Sequence, residues 1–308
     1  MAWDTNGTER TEVPMPVTDV EPAAGPEKPK SLDAVVSQIT EISTLPQIAL
    51  QVMEIAKDPN AGARDIKRVV EGDPALSGRV LRSVNSAAYG SQSKITSLQQ
   101  AISYLGFNEI RNLALTASVA KIFRTDKAIH TYRRTMLWRH MVSVGICARL
   151  IASRLRLHNF EDYFLAGLLH DVGIILEDQH VHQNFCQVIS SLTEGTALVE
   201  TERRHLGFDH TTLGARIAEK WKFPQVAQAA IRFHHVSEKY QGEDATILRC
   251  VEVANVICTL KGITSVGRKL VGAPTHAMQS LNLQKEDIVV LAEDLDREIH
   301  LNEALFAQ

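Results

Sequence analysis

Cysteine is scarce in this 308-residue chain, and what there is lies scattered. Cys147, Cys186, Cys250 and Cys258 form no C-x-x-C pair, so neither a zinc knuckle nor a disulfide frame is expected. They read as buried core thiols in a reducing cytoplasm. No run of about 20 apolar residues exists, so no membrane-inserted helix is expected. Met1 to Lys30 has no apolar centre of the kind a secretory signal needs. An excess of one charge is also missing. Lys and Arg number 33 against 36 Asp and Glu, a net charge of -3, which supplies no general basic field for nucleic acid. The Arg64-Asp65-Ile66-Lys67-Arg68 and Arg203-Arg204 runs read as solvated faces. Strand-type alternation is absent as well, and so is any internal repeat.

What is present is helical periodicity. Residues 1–30 hold five of the ten prolines and read as a disordered leader. From Ser31, a candidate cap, Leu32, Val35, Val36 and Ile39 fall at helical spacing. Leu45-Pro46 and Asp58-Pro59 punctuate the next turns, because the residue before proline avoids the α region. Asp73-Pro74 and Ser97 mark two helix starts, Gly106 a stop, and Asn108 the cap of the helix after it. The strongest stripe, Leu137, Met141, Val144, Ala148, Ile151 and Leu155, predicts a core helix near Thr135–Leu157. Another helix is predicted over Asp162–Glu177. Others follow near Val188–Thr193, Val199–Leu206, Thr211–Trp221, Pro224–Phe233, Ile247–Leu260 and Lys285–His300, the last acidic and amphipathic. Gln179–Phe185 is ambiguous, and Gly262–Ala277 reads as a loop or broken helix. The expected fold is all-α.

Twelve histidines exceed the usual share, and they carry the chemistry. His140 sits close to the buried stripe of the strong helix. His170-Asp171 lies inside the apolar run Leu168-Leu169-His170-Asp171-Val172-Gly173. His210 and the pair His234-His235 follow. Burying a carboxylate beside an imidazole costs several kcal/mol unless each is paired or bound to a cation. Two readings stay open: a metal site suited to Zn, Fe, Mn or Ni, or a neutral hydrogen-bond network. Neighbours in one helix diverge, so one member of His234-His235 is expected to face inward.

These residues carry a family resemblance. Asp73-Pro74-Ala75-Leu76, Val84-Asn85-Ser86-Ala87-Ala88-Tyr89-Gly90 and Ile95-Thr96-Ser97-Leu98 resemble the N-terminal half of the HDOD family. Trp138-Arg139-His140, Leu168 to Gly173, Glu202 to His210, Trp221-Lys222-Phe223-Pro224 and His234-His235 resemble its second half. The likeness covers roughly residues 32–260. It implies an N-terminal helical bundle packed on a helical core similar to that of the HD metal-dependent phosphohydrolases, in a bacterial regulatory protein. The implied organisation is a leader over 1–30, an N-terminal subdomain over 31–127, an HD-like subdomain over 128–260, and a loop with a C-terminal helix over 261–308. The resemblance also implies candidate metal ligands at His140, His170, Asp171, His210, His234 and His235. Three features depart from the catalytic branch. Asn255 stands where the late aspartate is expected, Ile174 replaces a lysine, and no Gly-Tyr-Pro segment follows the His-Asp pair.

The resulting expectation is a signalling protein that acts by binding other signalling proteins: a histidine kinase, a response regulator or a cyclic-dinucleotide protein. Catalysis is not expected. The alternatives are a metal-dependent phosphohydrolase or phosphodiesterase acting on a nucleotide or cyclic dinucleotide, and a sensor that holds a nucleotide without cleaving it.

Overall fold

The computed structural model describes residues 30–41, 46–58, 60–125, 128–193, 195–268 and 272–306. The expected leader, apart from Lys30, and Leu45 and Pro59 of the two proline breaks lie outside the described residues. The fold is all-α, as the periodicity predicts. The first helices are α1 (Leu32–Glu41), α2 (Gln47–Lys57), α3 (Ala63–Glu71), α4 (Pro74–Val84), α5 (Leu98–Leu105) and α6 (Phe107–Val119). Their starts follow local chemistry. The Asp73 carboxylate accepts from the Leu76 amide at 2.9 Å and Ser97 Oγ from the Gln100 amide at 3.2 Å, each satisfying an orphan N–H of a first turn. Gly106, at φ 85°, ends α5 and serves as the residue before α6. Asn108, the expected cap, therefore lies inside the first turn of α6. Helices α2, α3, α4 and α5 pack around α6, whereas α1 packs on α9 and α12 of the second half (ranges below).

A two-residue antiparallel hairpin, β1 (Ala128–Ile129) and β2 (Tyr132–Arg133), leads into α7 (Arg134–Arg154). The second half continues with α8 (Phe160–Leu169), α9 (Val172–His180), α10 (His182–Ser191), α11 (Leu198–Leu206), α12 (His210–Lys220), α13 (Gln225–Phe233) and α14 (Ala245–Leu260). Then come α15 (Thr275–Ser280) and α16 (Lys285–Leu301). Among the described residues, the segment after Gly262 is irregular up to one short helix, and the ambiguous stretch around Val181 is the junction of α9 and α10. Helix α7 forms the centre of this half, covered by α8, α14 and α16. Leu137, Met141, Val144, Ala148 and Ile151 are fully buried, as the stripe requires.

One expectation is corrected. The helix predicted over Asp162–Glu177 is two helices, broken at His170-Asp171, where Asp171 leaves helical geometry at φ -101°, ψ 15°. Packing explains the break. Helix α8 lies on α7 through glycine against glycine: a Cβ on Gly167 would fall 2.7 Å from the Gly145 Cα. Helix α9 lies on α12 just as closely, since a Cβ on Gly173 would fall 1.9 Å from the His210 carbonyl oxygen. The two close contacts thus lie on different partner helices, α7 before the break and α12 after it. Among the described residues, no helix is long and apolar enough to cross a membrane.

Candidate metal centre

The break between α8 and α9 directs the Asp171 carboxylate into the middle of the second half. Four imidazoles converge on it. The Nε2 atoms of His170 and His234 lie 3.2 Å from its oxygens, that of His140 at 3.5 Å and that of His210 at 3.6 Å. His140 comes from α7, His210 opens α12, and His234 follows the last residue of α13. All four histidines are fully buried, and Asp171 is 2% exposed.

The opposite face of each ring is already engaged. His140 Nδ1–H donates to the Ile263 carbonyl at 2.8 Å, and His170 Nδ1–H to the Gly167 carbonyl at 2.7 Å. His234 Nδ1–H donates to the Ala230 carbonyl at 3.1 Å. His210 Nδ1–H donates to the Glu202 carboxylate at 2.7 Å, and Glu202 also accepts from the His210 amide. With Nδ1–H turned outward, each Nε2 faces Asp171, where it can carry either a second proton or a metal ion. That tautomer and this backing are what a metal-ligating histidine requires. Among the described residues, His140 Nε2, His170 Nε2 and Asp171 Oδ1 are buried without a hydrogen-bond partner. Nitrogen lone pairs facing a carboxylate across 3.2–3.6 Å repel unless positive charge lies between them. The spacing suits two ligand atoms each about 2.1 Å from a shared cation.

His235 completes the set. Its Nε2 lies 3.0 Å from that of His234 and 3.2 Å from that of His210. The expectation that only one member of the pair faces the site is therefore corrected. Helix α13 ends at Phe233, so His234 and His235 do not share helical spacing, and both rings reach the centre. Two groups that could hold a metal ion result: His140, His170 and Asp171 form one, and Asp171, His210, His234 and His235 form the other. Asp171 is common to both, so its two oxygens can serve two cations side by side.

The local electrostatics favour positive charge here. Burial opposes the charged form of Asp171, but His170 and His234 overcome it and hold the carboxyl well below its ordinary range. Burial also pushes His210 down, yet Glu202 and Asp171 outweigh it and raise the ring to about 9. His140 and His234 are held down to about 4 by burial, against the pull of Asp171. Behind Glu202 stands Glu177, fully buried, with its carboxyl raised well above the usual range by burial and by Glu202 itself. Glu177 and Glu202 were not singled out in the sequence. For Glu177 the available signal was its place at the end of the apolar run Val172 to Leu176; Glu202, next to the exposed Arg203 and Arg204, carried none beyond its place in the Glu202 to His210 motif.

Asp171, His234, His235 and Asn255 open onto a cavity of about 390 Å³. Arg203, Arg232, Lys239 and Arg268 line it, with Glu200 and Glu252. Asn255 is 4% exposed, and its side-chain oxygen accepts from Thr259 Oγ1 at 3.4 Å. A cavity of this size suits a small ligand. Its basic lining suits an anionic one.

A helical bundle that gathers a His, His-Asp, His, His-His constellation around one carboxylate agrees with the resemblance drawn from the sequence. The particular family is defined by the full run of short motifs: the model of the HDOD domain matches residues 42–237, and the chain belongs to that family. A solved HDOD domain protein of unknown function from Geobacter sulfurreducens shares 26% identity, covering 88% of this chain and 96% of that one, with a TM-score of 0.72. A proposed signal transduction protein from Marinobacter aquaeolei VT8 shares the fold at 22% identity and a TM-score of 0.67, covering 92% of this chain and 62% of that one. Over 231 residues the chain is 23% identical to an uncharacterized protein of Treponema pallidum (strain Nichols), an alignment that takes in 72% of this chain. It spans 43% of the length of that relative.

Proposed function

We propose that the chain is a regulatory HDOD protein that holds divalent metal (Fe, Mn, Zn or Ni) between His140, His170, Asp171, His210, His234 and His235. It acts by engaging other signalling proteins, such as a histidine kinase, a response regulator or a cyclic-dinucleotide protein. One observation carries the metal: four buried imidazoles, each tied down through Nδ1, aim Nε2 at a single buried carboxylate. Asn255 supports regulation over turnover. Its amide is neutral, so a pair of divalent cations would meet only one inner carboxylate, Asp171, with Glu202 one bond further out. Elemental analysis of protein purified without a metal-affinity tag or chelator tests the centre directly. The parent should carry near-stoichiometric metal and the His170→Ala, Asp171→Ala double variant none. Equal metal in both, or none in either, defeats the proposal.

A second reading has one observation in its favour. The cavity lining of Arg203, Arg232, Lys239 and Arg268 suits a phosphate-bearing ligand next to Asp171. Under that reading the domain is a nucleotide phosphohydrolase, or a sensor that holds the nucleotide uncut. Incubation with nucleotides and cyclic dinucleotides plus Mn, Fe or Ni separates the cases. Product formation above an Asp171→Ala control would replace the regulatory reading with the hydrolytic one. Saturable binding without product would favour the sensor.

A further inference from the structure

A second cluster lies apart from the histidine centre, at the junction of α9 and α10. Asp178, His182 and Cys186 are spaced four and four residues apart and meet in one line. His182 Nδ1–H donates to Asp178 Oδ1 at 2.8 Å. The His182 Nε2 lone pair then faces Cys186 Sγ at 3.8 Å, within reach of a sulfur donor. Tyr132 Oη–H at 3.1 Å and Arg134 Nε–H donate to the other oxygen of Asp178. That carboxylate is 1% exposed. Burial opposes its charge, but His182 and Arg134 prevail, so it stays ionised and fixes the ring.

The four thiols divide sharply. Cys147, Cys250 and Cys258 are fully buried, and burial pushes the Cys250 and Cys258 thiols up, out of the range of thiolate chemistry. Cys186 is half-buried and in no disulfide. The His182 side chain beside it is 41% exposed, so solvent reaches the pair. The expectation that all four cysteines are core thiols is corrected at this one position.

We propose that Cys186 is a reactive thiol, activated by His182 and oriented through Asp178, that exchanges with low-molecular-weight disulfides. The thiolate is the attacking species, and a neighbouring imidazole that takes its proton raises the fraction present. In the exchange, the Cys186 proton moves to His182 Nε2. The sulfur then attacks one sulfur of R–S–S–R. The R–S–S–R bond breaks, a Cys186–S–S–R bond forms, and the departing thiolate takes the proton back from the imidazolium. The products are one mixed disulfide and one thiol, with no other oxidant required.

The test uses the intact protein and two probes, 5,5′-dithiobis(2-nitrobenzoate) for rates and glutathione disulfide for the adduct. An ordinary thiol is about 3% ionised at pH 7. Because a thiolate of lower pKa is also intrinsically less nucleophilic, the absolute rate at pH 7 rises only a few-fold. The pH midpoint of the rate is the sharper readout. One thiol per chain should react before unfolding, with a midpoint at about 7 or below against about 8.5 for a free thiol. Cys186→Ser should abolish this phase and the glutathionyl adduct. His182→Gln, which keeps an amide N–H able to donate to Asp178, should shift thermal unfolding little, yet return the midpoint toward about 8.5. A midpoint at or above 8.5 in the parent overturns the proposal. So does a low midpoint that His182→Gln leaves in place, or fast labelling that survives Cys186→Ser.

Discussion

Glycine to alanine inside a helix ordinarily stabilises, by roughly 0.5–1 kcal/mol, because alanine loses less backbone freedom on folding. At Gly173 the sign should reverse. An alanine Cβ there would sit 1.9 Å from the His210 carbonyl oxygen and 2.7 Å from its carbonyl carbon. Carbon and oxygen rest no closer than about 3.3 Å, so α9 and α12 would have to separate by about 1.4 Å. The atoms in the way are backbone and cannot rotate aside. The cost falls at the upper end of the range for overpacking, about 3 kcal/mol. The same retreat carries His210 away from Asp171, and ligand distances tolerate only about 0.2 Å. Gly173→Ala should therefore lower the urea midpoint and reduce bound metal together. Gly78→Ala is the control. In α4 its Cβ would meet only the Arg82 guanidinium, at 3.7 Å, so that variant should gain the ordinary increment and keep its metal. A Gly173→Ala protein as stable and as metal-loaded as the parent would refute the close α9–α12 contact as the support of the centre.

Three other outcomes are expected. Asn255→Asp, which adds a carboxylate to the cavity wall beside Asp171, should tighten metal binding on the order of tenfold, measured by chelator competition. Glu161 has its carboxyl raised to about 8 by burial and by neighbouring Glu109, so the folded state keeps a proton that the unfolded chain releases near 4.3. That contribution is complete below about pH 4.3 and lost as pH rises through 8, at up to about 1.4 kcal/mol per pH unit. Glu161→Gln, unable to ionise, should flatten Tm against pH over this window and exceed the parent at pH 9; parallel curves would contradict it. Asp73→Ala removes the α4 cap and the 2.9 Å contact to Lys121, and should cost about 1–2 kcal/mol in denaturant unfolding.

The fold class and most helix positions could be read from the chain because each rests on local signals, while the six candidate residues were named through the family resemblance. Asp73-Pro74, Ser97 and Gly106 act on the neighbouring turn alone. The histidines stand out because imidazole in an apolar run demands a reason. What escaped depends on contacts between distant segments. The break at His170-Asp171 is imposed by Gly145 and His210, 25 and 39 residues away, and nothing at 170–171 announces it. The convergence of His234 and His235 follows from where α13 stops. Glu202 as the support of His210, and Cys186 as the solvent-reachable thiol, both follow from burial that periodicity resolves poorly.

The carbonyl that holds His140 in place belongs to Ile263, and Asn255 comes from α14, yet the HDOD match ends at residue 237. Helix α16, still further along, packs on α7, the helix that carries His140, and Arg154 of α7 reaches Asp287 at 3.1 Å. A fragment trimmed to the family boundary would retain all six clustered residues and the backing of His170, His210 and His234, but release His140 from its anchor. Studied in isolation, such a fragment would report a weakened centre and assign to the whole protein a deficiency introduced by the cut. The working unit of this domain thus reaches past its recognisable sequence, and changes in α16 can shift a histidine cluster that they never touch.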